Sequence, residues 1–217
     1  MKAKINEVFY SLQMEGENIG YASVFVRFTR CNLTCDFCDT KYALYEGYSI
    51  NEDELFEKVS RYPVKRVIFT GGEPVLYDEF MAYFMKKHRD YDYFIETNAT
   101  IFPEYSIKYL THITASPKFH AINSEVIKRL NADAEDVEFK FIVKDKKDIL
   151  KSEGLIEELK LKKSVLQPMY INGENRNDYI KRSVKLIEIF KKSACAKGNT
   201  RFIMQNHKIL YGDKPGV

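Results

Sequence analysis

Cysteine and histidine are scarce in this sequence, four of each among 217 residues. That scarcity excludes a disulfide-stapled scaffold, which pairs its cysteines, and leaves no second cysteine pair for a closed four-ligand zinc knot. No apolar run is long enough to cross a bilayer, and no signal-peptide pattern is present. With unpaired thiols, these absences predict a cytoplasmic protein with no membrane partner. Internal repeats, low-complexity tracts and linkers are also lacking, so one domain over residues 1–217 is expected. Neither sign of charge dominates: the net charge is +3, and Lys and Glu are interspersed. The densest basic stretch, Lys144–Lys151, is broken by Asp145 and Asp148. It reads as a solvated helix face rather than a nucleic-acid footprint, and no nucleic-acid partner is expected.

What is present is an ordinary globular balance, 45% hydrophobic and 30% charged, interrupted by one unusual loop. CNLTCDFCDT, residues 31–40, places Cys31, Cys35 and Cys38 in a C-x3-C-x2-C spacing. Three thiolates from one loop can hold three irons of a 4Fe–4S cluster and leave the fourth iron for an external ligand. The competing reading is zinc, but Cys195 is isolated far downstream and supplies no partner pair. The spacing resembles the signature of the radical S-adenosylmethionine (SAM) enzymes, in which SAM chelates the open iron. Thr70-Gly71-Gly72-Glu73-Pro74 follows an apolar strand-like run and resembles the GGEP element of the same enzymes, where backbone groups grip the SAM amine.

Along the chain, strand and helix patterns alternate. Strands are predicted over Tyr21–Thr29, Arg66–Thr70, Tyr93–Thr97, His112–Ser116, Val137–Val143, Val165–Gln167 and Arg201–Met204. Helices are predicted after a capping box at Ser49-x-x-Glu52, then over Asp78–Lys87, Glu104–Tyr109, Asn123–Leu130, Ser152–Lys160 and Asp178–Lys192. The alternation implies an α/β fold with a parallel sheet. About six βα units are too few for a closed barrel of ~250 residues, so a partial, open TIM-like barrel of the radical SAM type is expected. Five stretches, Cys31–Thr40, Gly71–Pro74, Glu96–Asn98, Ser116–Lys118 and Gln167–Tyr170, fall at predicted strand ends. In parallel α/β folds ligands gather at the carboxyl ends of strands, so these stretches should surround one site.

The whole chain resembles the 7-carboxy-7-deazaguanine synthases, small radical SAM enzymes of 7-deazapurine (queuosine-type) biosynthesis. The resemblance is carried by EVFYSLQMEGENIG, VFVR, CDFCDT, TGGEP, ETNAT, SPK, LQPM and the closing QNHKILYGDKPGV. It implies ring contraction of 6-carboxy-5,6,7,8-tetrahydropterin to 7-carboxy-7-deazaguanine with loss of ammonia. The 5′-deoxyadenosyl radical from SAM takes hydrogen from C6 of the pterin and later returns it, and Mg²⁺ assists. The resemblance further implies a homodimer and an electron donor such as flavodoxin or ferredoxin. It places Leu12, Gln13, Met14, Glu15, Arg27, Thr70 and Val217 at the pterin, with Arg27 on the substrate carboxylate. Phe37, Cys38, Asp39, Gly72, Ser116, Pro117, Lys118, Gln167, Pro168, Met169 and Tyr170 would contact SAM, and Thr40 would bind Mg²⁺. Read without the resemblance, Arg27 is a surface strand residue and Thr40 a helix cap. The sequence departs from the family pattern at Met14, Arg30 and Ala99, where glycine is usual.

Two other classes use parts of the same pattern. A radical SAM activase that makes a glycyl radical on a partner shares the cysteine spacing but gives SLQ-x-EG and the C-terminal tail no role. A scaffold protein holding zinc explains only the cysteines. Separate replacement of Cys31, Cys35 and Cys38 by Ala is therefore expected to abolish SAM cleavage. Cys195→Ala should retain the brown cluster, and loss of that colour on anaerobic reconstitution would overturn the assignment.

Overall fold

The run that leads to the cysteines forms strand β2 (Ala22–Phe28), preceded by β1 (Lys2–Leu12). A short strand β3 (Tyr48–Asn51) follows the cysteine loop. Then come β4 (Arg66–Gly71), β5 (Asp92–Thr97), β6 (His112–Ala115), β7 (Val137–Val143), β8 (Ser164–Pro168) and β9 (Thr200–Phe202). The helices are α1 (Glu52–Val59), α2 (Asp78–Lys87), α3 (Ser124–Asp133), α4 (Lys146–Glu158), α5 (Arg176–Phe190) and α6 (Asn206–Tyr211). This computed structural model describes every residue except 39, 172, 213, 215 and 217.

All strands join one sheet in the order β3-β1-β2-β4-β5-β6-β7-β8-β9. From β2 to β9 the pairing is parallel, whereas β1 runs antiparallel to both β2 and β3. The ends, β3 and β9, do not pair with each other, so the barrel is open as expected. The antiparallel pairings of β1, which lies between the edge strand β3 and β2, depart from the wholly parallel expectation. The alternation of β1 is weak because it is buried only at Ala3 and Ile5 and is half-exposed or exposed beyond them.

Side chains along a strand alternate between faces, and here the faces differ in chemistry. Val24, Val26 and Phe28 of β2 join Val67, Phe69, Ile95 and Phe139 in the apolar core against the helices. On the concave face Phe9, Phe25, Ile68 and Phe94 form a small separate cluster, with Phe9 and Phe25 stacked at 4.9 Å. One step further along the same strands that face turns polar. Arg27 pairs in register with Thr70, Glu96 with Thr114, and Thr114 with Glu138.

Two helix starts differ from expectation. Ser49 lies inside β3, paired with Lys4, so the capping box moves to Asn51. Asn51 Oδ1 accepts from Glu54 N at 3.0 Å, and Glu54 Oε2 accepts from Asn51 N at 2.8 Å. Helix α4 begins six residues before the expected Ser152, because Asp145 caps it by accepting from Asp148 N at 3.0 Å.

The departures from glycine at positions 30 and 99 have a backbone cost. Arg30 (φ 66°) and Ala99 (φ 59°) both occupy the left-handed region. An L-residue there costs ~1–2 kcal/mol, while glycine adds about 0.4–1 kcal/mol of unfolded-chain entropy. Arg30 is exposed, so Arg30→Gly is expected to raise the unfolding free energy by about 0.5–1 kcal/mol. Ala99 is buried in the core, and loss of its methyl, worth about 0.8 kcal/mol, should leave Ala99→Gly near neutral. Denaturant melts of the two variants check the contrast.

Candidate active site

The carboxyl ends of the parallel strands open into a cavity of about 250 Å³. All five polar stretches expected to meet there contribute to its wall. The cysteine loop is seated by the glycine turn after β4. Gly72 N donates to Phe28 O at 3.1 Å and Glu73 N to Arg30 O at 2.9 Å. A Cβ on Gly72 would overlap the Arg30 carbonyl oxygen, and one on Gly71 (φ 124°) the Phe28 carbonyl oxygen. These glycines are therefore required for close approach of two backbones.

Glu73, fully buried, accepts from Thr97 Oγ1 and Asn98 N, both at 2.7 Å, and from Val75 N at 3.0 Å. Burial raises its pKa against those hydrogen bonds. Asn98, fixed in this way, donates from Nδ2 toward Cys31 Sγ at 3.7 Å. Leu33 N reaches the same sulfur at 3.4 Å, and His120 Nε2 lies 3.7 Å from Cys35 Sγ. Burial raises the Cys31 and Cys35 thiols above the ordinary thiol value, so metal uptake must displace their protons.

The thiols do not converge as a zinc knot would require. Four ligands about 2.3 Å from one zinc bring their sulfurs within roughly 4 Å of each other. Among the described residues, only Glu17, His112 and Asp136 form a trio with ligand atoms within 4.8 Å of one another. That trio lies near the amino ends of β6 and β7, and Lys163 already bridges its carboxylates at 3.1 and 2.6 Å. The wider spread of the three thiols fits a body larger than a single ion.

The loop after β1 turns into the barrel and brings two polar side chains with it. Gln13 Nε2 donates to Glu96 Oε1 at 3.0 Å, and Thr70 Oγ1 donates to Glu96 Oε2 at 2.8 Å. Glu15 accepts from Lys140 Nζ at 2.5 Å, Gln167 Nε2 at 2.9 Å and Gln205 Nε2 at 3.2 Å, with His207 Nδ1 at 3.2 Å. Burial alone would raise the Glu15 pKa, but the Lys140 and His207 charges and the hydrogen bonds from Lys140 and Gln167 pull it well below the usual carboxylate range.

The cavity wall includes Leu12, Gln13, Met14, Glu15, Arg27 and Thr70 from the expected pterin set. From the expected SAM set it includes Phe37, Cys38, Gly72, Ser116, Lys118, Gln167, Met169 and Tyr170. Pro117 lines a neighbouring cavity instead, and Pro168 is buried in β8, its carbonyl accepting from Tyr179 Oη at 3.3 Å. Asp39 and Val217 lie outside the described residues. Thr40 lines the main cavity at the start of a 3-10 turn, but its side chain makes no capping bond, unlike the cap reading. Among the described residues, Gln167 Oε1 is buried without a hydrogen-bond partner.

Arg27 faces the cavity from β2, its side chain only 12% exposed. Nε donates to Glu7 Oε1 at 2.8 Å, and the guanidinium lies 5.3 and 5.9 Å from the Phe9 and Tyr42 rings. Sequence reasoning passed over Lys140, Gln205 and His207. The alternation Glu138, Lys140 inside an otherwise apolar strand was the available signal for the first, since charge in a central strand needs an inward partner.

Residues 25–187 match the family model of the radical SAM superfamily. The chain is 33% identical to the 7-carboxy-7-deazaguanine synthase of Aquifex aeolicus over 94% of its own length and 91% of that protein. It is 45% identical to the 7-carboxy-7-deazaguanine synthase of Bacteroides thetaiotaomicron over 54% of its own length and 62% of the relative. The crystal structure of QueE from Escherichia coli has a TM-score of 0.70 at 25% identity and 94% coverage of both chains.

The Glu15 network generates a pH prediction. Its folded pKa is depressed, so its contribution is present above the unfolded value of about 4.3 and is lost as pH falls below it. Glu15→Gln breaks a buried ion pair and is expected to cost about 3 kcal/mol at pH 7. The difference from wild type should shrink on acidification, as urea titrations across that range would show.

Proposed function

From the premise that this chain belongs to the 7-carboxy-7-deazaguanine synthases of the radical SAM superfamily, we propose that the cavity contracts the ring of 6-carboxy-5,6,7,8-tetrahydropterin to 7-carboxy-7-deazaguanine. The observation that carries this reading is that one concave wall holds all three thiols of the cysteine loop and the Arg27 guanidinium. When bound, the cluster and SAM supply the abstraction of a hydrogen atom that acid–base side chains cannot perform.

The protein's part is to bind, orient and exclude. Cys31, Cys35 and Cys38 would hold three irons, and the loop's backbone is kept in place by Gly71, Gly72 and Asn98. Ser116, Lys118 and the Met169–Tyr170 segment would hold SAM, with the unpartnered Gln167 Oε1 accepting from a purine edge. Glu7 engages Nε of Arg27, and among the described residues the terminal nitrogens keep donors for a carboxylate. The Phe9 and Tyr42 rings restrain the guanidinium beside that carboxylate. Glu96, between Gln13 and Thr70, would accept from the pterin's N–H edge.

Thr40, with its hydroxyl outside any cap bond, would offer oxygen to the Mg²⁺ of this reading. Met14 projects from the loop that carries Gln13 and Glu15, and its side chain would narrow the pterin end relative to the usual glycine. The resemblance to the family also supports a homodimer, which sedimentation of the reconstituted protein tests by its mass. An activase acting on a partner's glycine would leave Arg27 and the Gln13–Glu96 pair without a task.

Anaerobically reconstituted protein, given SAM, reductant and the carboxytetrahydropterin, is expected to release ammonia and 7-carboxy-7-deazaguanine. SAM cleavage without ammonia release would overturn the reading. Arg27→Met keeps the apolar stem and removes the fork. A charged hydrogen bond worth ~1.5–3 kcal/mol corresponds to about 10- to 150-fold in affinity. Calorimetry should show that loss for the carboxypterin, with SAM binding unchanged. An unchanged carboxypterin affinity would remove Arg27 from the site.

A further inference from the structure

Strand β1 changes face partway along its length. In a regular strand residues i and i+2 point the same way, so Glu7 would follow Ile5, which is fully buried in the apolar core opposite Phe28. The register prevents this. Ile5 pairs with Phe28 and Glu7 with Arg27, two steps on β1 against one on β2, so Asn6 is the extra residue of a bulge. Asn6 Nδ2 donates to Glu46 O at 3.1 Å. Beyond the bulge the alternation resumes with its phase reversed, and Glu7 and Phe9 stand opposite Arg27 and Phe25 on the concave side. One inserted residue therefore carries a carboxylate out of the core and sets it against the Arg27 guanidinium.

We infer that Glu7 is a positioning residue for substrate recognition. It holds the Nε edge of Arg27 so that the end-on fork of Nη1 and Nη2 is aimed at a planar carboxylate and discriminates against neutral groups at the same place on the pterin. The inference rests on the proposed contact between Arg27 and the substrate carboxylate. Glu7 is itself well fixed: Oε1 accepts from Arg27 Nε at 2.8 Å and from Tyr42 Oη at 3.0 Å. Its other oxygen faces the C-terminal tail, where a Cβ on Gly216 (φ 69°) would come within 3.3 Å of Oε2. An arginine side chain is rich in rotamers, and a fork ordered beforehand loses less freedom when the ligand arrives. Parallel N–H donors at a fixed spacing match the two oxygens of a carboxylate and offer nothing to a methyl group.

The test uses the reconstituted enzyme with SAM and no reductant, so that nothing turns over. Anaerobic calorimetry compares two probes, the carboxytetrahydropterin and 6-methyltetrahydropterin, which lacks the carboxylate. Glu7→Ala should weaken the carboxylate probe about tenfold and leave the methyl probe within about twofold of wild type. Glu7→Asp withdraws the carboxylate by one methylene and keeps the charge on β1. It should show the same carboxylate-only loss, which keeps the test decisive if the alanine variant folds poorly. Glu7→Gln retains an acceptor at the same reach and should stay within about threefold of wild type for both probes. Because Glu7 acts through Arg27, Glu7→Ala combined with Arg27→Met should bind the carboxylate probe no more weakly than Arg27→Met alone. Equal losses for both probes, or additive losses in the double variant, would overturn the proposal. So would wild-type discrimination in Glu7→Ala and Glu7→Asp, or a loss in Glu7→Gln as large as in Glu7→Ala. Wild-type affinity of Arg27→Met for the carboxylate probe would instead overturn the reading of Arg27, and this inference with it.

Discussion

One buried carboxylate ties the interior of this barrel together. Glu15 arrives on the loop after β1 and meets Lys140 of β7, Gln167 of β8, and Gln205 and His207 at α6. Four segments far apart in sequence are thereby held to one point. The ion pair is stable only because hydrogen bonds replace the water that both charges have lost. Without it the loop would lose its anchor, and Gln13 would lose its register on Glu96. The concave wall would then have no defined shape at the end where the parallel strands open.

The cysteine loop is held by a different kind of constraint. Its start crosses the turn after β4 so closely that only glycine fits at residues 71 and 72. Glu73 then fixes Thr97 and Asn98, and Asn98 reaches Cys31. The thiols are thus placed by backbone contact and by a carboxylate that never faces the cavity. The membership of this chain in the radical SAM superfamily is consistent with that division: glycine and backbone set the position of the cluster, and side chains of the strand ends furnish the rest of the site.

Much of this was legible in the sequence where the signal is local. The strands from β4 to β8, helix α2 and the convergence of five polar strand ends follow from periodicity and from the topology of parallel sheets. The antiparallel strands β1 and β3 were not legible, because an edge strand half-open to water carries little alternation. The cap at Asn51 was displaced by a tertiary pairing that places Ser49 in a strand. Lys140 and His207 escaped notice because their meaning lies in Glu15, more than a hundred residues away.

Arg30 and Ala99 carry a last consequence, which concerns assembly rather than the finished enzyme. Both stand in the left-handed region close to the first thiol, Arg30 next to Cys31 and Ala99 next to Asn98. Glycine at position 30 would add a hinge to the start of the cysteine loop, and glycine at position 99 one beside Asn98, which holds Cys31. A side chain at each reduces the number of backbone states open to the loop and to the turn that braces it. The cost of holding two residues in the left-handed region is therefore offset in part by a smaller ordering penalty on binding an inorganic core.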